Sequence, residues 1–260
     1  MHRLTYLNTH LKKGCLIRWP NECFPLPVYI APCSWYSMNE SDKLSYMNMV
    51  IDAFNTWERV GEGRFSFYLV NNLNDSQLNV EWRRVDRKSL GNCSFNYDSQ
   101  SRLYSAEVSI GISDGILHKQ YMDENEVYHT ILHEIGHALG LGHSNHPGDI
   151  MYTPHQYGIT NLSQRDIDSV RWLYSLPYGA SVNSLNATYS TNFGNIDDII
   201  LHIAAGDIES EFQRTMNNIQ QTPKRNLEED QQKLAQMGRF NIAIQNIRLP
   251  KELSDKFKDM

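Results

Sequence analysis

The chain has 260 residues, 40% of them hydrophobic and 11% aromatic, enough apolar side chain to build a packed core and too much for wholesale disorder. Lys and Arg number 24 against 30 Asp and Glu, giving a formal net charge of -6; this excludes a general nucleic-acid binder, which needs concentrated positive charge. No run of about 18 apolar residues occurs, so no membrane span is expected.

Residues 1–20 include basic side chains, but the apolar stretch between them falls short of the roughly 7–15 residues of a signal-peptide core. No signal peptide is therefore visible. Cys15, Cys23, Cys33 and Cys93 all lie early in the chain. They allow two disulfides in any of three pairings, or simple thiols, and no CxxC spacing supports a cysteine zinc site. Leu26 to Ala31 reads as a strand entered through prolines. Ser41 to Val60 reads as a helix, with Leu44, Met47, Ile51, Phe54 and Trp57 recurring at three- and four-residue steps. Phe65, Phe67 and Leu69 alternate as in a half-buried strand, and Leu78–Trp82 and Ala106–Ile112 do the same. These mixed signals predict an α+β fold in which helices pack on one sheet.

The next helix is predicted to start at Asp123 as N-cap, with Glu126 three residues on as in a capping box. Val127, Ile131, Ile135 and Leu139 form its core face, while His133 and His137 lie about 40° apart on the other side. Gly140 and Gly142 then end the helix, and the released chain can bring His143 round as a third nitrogen. Three imidazoles leave a fourth tetrahedral position open for water, as a catalytic zinc requires. Glu134 lies about 100° from His133 around the helix, beside the ligand line rather than on it. A carboxylate there can accept a proton from water activated by the metal. His129 is one turn too early to share the ion and is assigned a supporting or solvent-facing place; His146, His155 and His202 carry no predicted role.

Beyond Tyr178 the chain turns rich in Asn, Gln, Ile and charge. The organisation read from this shift is a catalytic domain over 1–178, a linker over 179–192 and a helical extension over 193–260. Two apolar stripes (Ile196, Ile199, Ile200 and Ile203; then Ile208, Phe212, Met216 and Ile219) and good helix formers over 224–233 support the extension, whose expected partner is either the catalytic domain or another protein.

The pattern from His133 to His143, with Asp149-Ile150-Met151-Tyr152 after it, resembles the metzincin clan of zinc endopeptidases, and more closely its matrixin branch. Ala53–Trp57 followed by Phe65–Phe67, and Leu162–Ile167 running on to Leu173-Tyr174, are similar to that branch's first helix, second strand and last helix. The resemblance covers residues 15–178. It implies a metzincin-like catalytic domain: a twisted mixed sheet, an active-site helix and a C-terminal helix. It further implies Met151 as the methionine turn beneath the metal, and a substrate bound as an added strand, for which Val108, Ser109, Ile110 and Gly111 are the candidate edge. The implied cofactor is one catalytic zinc, the implied substrate a protein or peptide, and the implied location extracellular or in the cell envelope. The second, structural zinc of vertebrate matrixins is not expected, because only His118 stands in that region; calcium is left open.

The function expected is thus a zinc metalloendopeptidase: a hydrolase with His133, His137 and His143 on the metal and Glu134 as general base. The alternative is a latent or degenerate zincin that binds proteins through its helical tail. A site whose third ligand is a Glu on a later helix would be a further rival, which the spacing of His143 disfavours.

Overall fold

The computed structural model describes residues 4–33, 40–84, 90–113 and 123–221. The expectations for His118 and for residues 222–260 lie outside these, as do the side chains of Ile208, Phe212, Met216 and Ile219.

Five strands form one sheet: β1 (Leu26–Ile30), β2 (Phe67–Leu69), β3 (Leu78–Arg84), β4 (Gly91–Tyr97) and β5 (Leu103–Ile112), in the order β2-β1-β3-β5-β4. β1, β2, β3 and β5 are parallel, and β4 runs antiparallel to β5. Parallel neighbours need long crossovers, and α1 (Glu40–Gly61) supplies one between β1 and β2. α2 (Glu124–Ala138) packs on β4 and β5 and against α1, which in turn meets α3 (Gln164–Ser175).

The buried face of α1 is Tyr46, Val50, Ala53, Phe54 and Trp57, rotated from the predicted stripe so that Leu44 is exposed. Two indoles tie the core to α2: Trp57 Nε1 donates to Leu132 O at 3.0 Å and Trp19 Nε1 to Ala138 O at 2.8 Å. The second bond satisfies a carbonyl that the helix end leaves without a partner, and the Tyr174 hydroxyl does the same for Leu139 O at 3.0 Å. None of the four cysteines is joined in a disulfide.

Three expectations need correction. The stretch Val108–Gly111 is not an edge: β5 pairs with β3 on one side and β4 on the other, so its backbone is spent within the sheet. Among the described residues the edge on that side of the sheet is β4, whose Cys93, Phe95 and Tyr97 alternate inward while Asn92, Ser94 and Asn96 are exposed. Nor is 179–192 a linker. Leu16 N donates to Ala180 O and Gly179 N to Leu16 O, then a capping box of Ser181 and Ser184 starts α4 (Val182–Tyr189), whose Leu185 is buried. Third, the compact unit extends from Met1 to Gly206, with Asp207–Met260 as a second unit, so the boundary lies past residue 193. Ile196, Ile199 and Ile200 at the start of α5 (Ile196–Gln221) are fully buried, which is why the first unit includes them. Among the described residues no helix is long and apolar enough to cross a membrane.

Candidate metal centre and active site

The Asp123 side chain caps α2 by accepting from Asn125 N at 2.9 Å. Glu126 does not close a capping box; its carboxylate instead accepts from Gly158 N at 2.9 Å and meets His155 Nε2 at 2.6 Å, pinning the later loop to the helix. At the other end Gly140 takes φ +98°, a left-handed conformation natural to glycine, with Gly140 N bonded to His137 O and Leu141 N to Gly136 O. This double closure turns the chain sharply off the helix and carries His143 back toward it.

Donor atoms of His133, His137 and His143 all lie within 4.8 Å of one another. His137 Nε2 is 3.1 Å from His133 Nε2 and 3.1 Å from His143 Nε2. Two of the rings are oriented from behind: His133 Nδ1–H donates to Ile150 O and His137 Nδ1–H to Leu141 O, each at 2.8 Å. Those bonds set the tautomer that turns the Nε2 lone pairs inward. Burial holds His133 down to about 4, His137 well below and His143 below the usual imidazole value, so the rings are neutral near pH 7. Neutral imidazole is the ligand form, and ligands at about 2.0–2.1 Å from a tetrahedral zinc stand roughly 3.3 Å apart, close to the spacing found. The donor set therefore fits zinc.

Met151 is fully buried directly under α2, and a Cβ on Gly136 would collide with its Sδ. Its turn is held by two carboxylates. Asp149 accepts from Ser163 Oγ at 2.7 Å and Arg165 Nη1 at 3.1 Å, and also from Ser144 Oγ. Asp166, inside the capping box that starts α3, accepts from Ile150 N at 2.8 Å and from the Tyr6 hydroxyl at 2.7 Å. The carbonyl that orients His133 thus belongs to a residue fixed by α3.

Glu134 is 7% exposed and lines the same cleft as the three His. Burial pushes its carboxyl up to about 8, with Arg83 opposing the shift. Gly91, the first residue of β4, makes room for it: a Cβ there would lie 2.6 Å from Glu134 Cγ and Oε1. The cleft measures about 720 Å³ and is walled by Leu90–Phe95 above, by Tyr152–His155 below, and by His10 and Lys12 of the N-terminal segment.

Several of these wall residues escape sequence reasoning. His10 sits 6.4 Å, ring to ring, from His137, more than 120 positions away in the chain, and no spacing rule links them. His129 is buried rather than solvent-facing: its Nδ1 meets Ile159 O at 2.6 Å and its ring stacks 6.3 Å from that of His133. His155, without a predicted role, packs edge-on against His129 at 4.2 Å. The strand β4 has a readable alternation of Cys93, Phe95 and Tyr97, which could have revealed it.

The family model described as Matrixin matches residues 33–175, more than half of the chain. Among curated proteins, the chain is 45% identical over 67 residues to the probable matrix metalloproteinase 095L of Invertebrate iridescent virus 3, covering 25% of this chain and 18% of that protein. It is 44% identical over 57 residues to the interstitial collagenase of Sus scrofa, covering 22% and 12% of the two chains. With metalloendoproteinase 1 of Glycine max it shares 51% identity over 47 residues, 17% and 15% of the two. The chain thus spans less than a fifth of the length of each of these relatives.

Proposed function

Because the chain belongs to the matrixin family, we propose that it is a zinc-dependent metalloendopeptidase in which His133, His137 and His143 hold the metal and Glu134 is the general base. The observation that carries this reading is the convergence of three neutral imidazoles, with His137 Nε2 3.1 Å from Nε2 of each of the other two, in a cleft that also holds a buried carboxylate.

Zinc bound there supplies Lewis acidity toward a scissile carbonyl oxygen and toward water. The chain's own groups do the rest. Glu134 takes the proton of the attacking water and passes it to the amide nitrogen, so that the amine departs neutral. Burial raises the proton affinity of its carboxylate, which makes ionised Glu134 a stronger acceptor for the water's proton, and the acid so formed is the donor to the amide nitrogen. The outer edge of β4, which among the described residues pairs with β5 alone, offers an extended peptide regularly spaced backbone groups across the cleft. Met151 and the Asp149–Asp166 framework keep the ligand nitrogens from shifting. Substrates on this reading are proteins or peptides, and the family resemblance supports a location outside the cell or in its envelope. A purely binding zincin would have no use for a carboxylate buried beside the ligands.

The test is Glu134→Gln in the full chain, with zinc content and casein cleavage measured together. One zinc per chain should remain while kcat falls by about 10²–10⁴-fold. Removing zinc with a chelator should abolish cleavage by the wild type, and added zinc should restore it. Wild-type turnover in Glu134→Gln would exclude Glu134 as the base.

A further inference from the structure

Asp197, in the first turn of α5, is 2% exposed. A buried carboxylate is stable only when its oxygens are occupied by donors, and all three donors found here come from the other end of the chain. Its Oδ1 accepts from Thr5 Oγ1 and from Leu7 N, each at 2.7 Å, and its Oδ2 from Asn8 N at 3.3 Å. Asn8 Oδ1 returns a bond by accepting from Ile196 N at 3.3 Å. The N-terminal segment is thereby locked to α5, outside the 33–175 stretch that the family model covers.

From this lock the segment runs straight to the third imidazole. Leu7–His10 forms a tight helical turn. The single proton of Thr9 Oγ1 is shared between Tyr6 O at 2.8 Å and His143 O at 2.9 Å, and His10 packs so closely on Gly142 that a Cβ there would collide with it. His133 and His137 are fixed by α2 and by their Nδ1 bonds, whereas His143 stands on the chain that follows Gly140 and is the most exposed of the three. Its position depends on what holds its backbone.

We infer that Asp197 is a positioning residue for the metal centre, acting through residues 5–10 to hold the backbone of His143. The inference rests on the proposed zinc site, and it makes the start of α5 part of the metal-binding unit rather than an appendage. Residues that orient metal ligands from behind commonly affect metal affinity by ten- to a hundredfold.

The experiment compares the full-length chain with its variants Asp197→Ala, Asp197→Asn, Thr9→Val and Ile200→Ala. Zinc affinity is measured by competition with a chromophoric chelator, well below the Tm of each variant. Asp197→Ala and Thr9→Val should each weaken zinc by about tenfold. Asp197→Asn, which keeps an oxygen acceptor for Thr5 and Leu7, should recover most of that loss. Ile200→Ala opens a cavity in the same docked helix and lowers Tm without touching the hydrogen-bond chain, so its zinc affinity should stay near wild type. Thr9 is exposed, so its variant folds even if loss of Asp197 is severe. Wild-type zinc affinity in either Asp197→Ala or Thr9→Val, or equal weakening in Ile200→Ala, would overturn the inference. A wild-type chain that binds no zinc on the three His would instead overturn the metallopeptidase reading, and this inference with it.

Discussion

Gly136 lies in the middle of α2 because the sulfur of Met151 occupies the space where its side chain would be. Glycine inside a helix costs about 1 kcal/mol relative to Ala, so propensity alone argues against it. Trp57 Cζ2, 3.1 Å from the same point, leaves no alternative room. The close approach of Met151 to α2, between His133 and His137, overrides propensity.

Gly136→Ala should therefore destabilise the protein. Helix propensity favours the substitution by about 1 kcal/mol, while overpacking a fully buried contact costs about 1–3 kcal/mol. The net expectation is a loss of up to about 2 kcal/mol in urea unfolding, with weaker zinc binding as the turn is pushed away. A more stable Gly136→Ala chain would show that Met151 moves aside freely.

At β4 the same logic concerns catalysis. Gly91→Ala places a methyl 2.6 Å from Glu134 Cγ and 2.7 Å from Thr130 Cγ2, and Glu134 is the group able to give way. Displacing a proton-transfer group by about 1 Å can cost on the order of 10²-fold in rate. The variant should keep its zinc and its Tm within a few degrees while kcat drops by at least about tenfold. Unchanged kcat would place the working position of Glu134 elsewhere.

The acid sensitivity of the metal-free protein follows from its buried imidazoles. Burial lowers His129 to about 4 and His10 to about 4, against 6.5 for a free imidazole. The unfolded chain thus binds more protons than the native one between these values, and stability rises with pH across that window. It is fully present above about pH 6.5 and is lost as pH falls toward 4. Each such group contributes a slope of about 1.4 kcal/mol per pH unit at most. Urea midpoints with chelator present should fall steeply from pH 6.5 to pH 4.5, and His129→Gln should flatten the curve. An unchanged slope in that variant would mean that His129 does not titrate between the two states.

Local chemistry was legible from the residues themselves. Four-residue spacing put His133 and His137 on one helical face, the glycines at 140 and 142 announced the turn that releases His143, and alternation marked β3 and β5. The predicted α+β class, with an active-site helix and a mixed sheet, is the architecture observed. Missing were contacts between distant stretches. His10 against His137, β4 as the cleft's edge in place of β5, and Asp197 gripping Leu7 each depend on which segments become neighbours in space.

Periodicity and spacing are properties of a few consecutive residues, so they sufficed to specify a helix with His133 and His137 on one face. Strand order, the depth to which Met151 sits beneath Gly136, and the reach of α5 back to the N-terminal segment arise only when the whole core closes. A hydrogen bond between residues 7 and 197 has no local signature, because the entropy of bringing them together is overcome by burial shared across the entire fold.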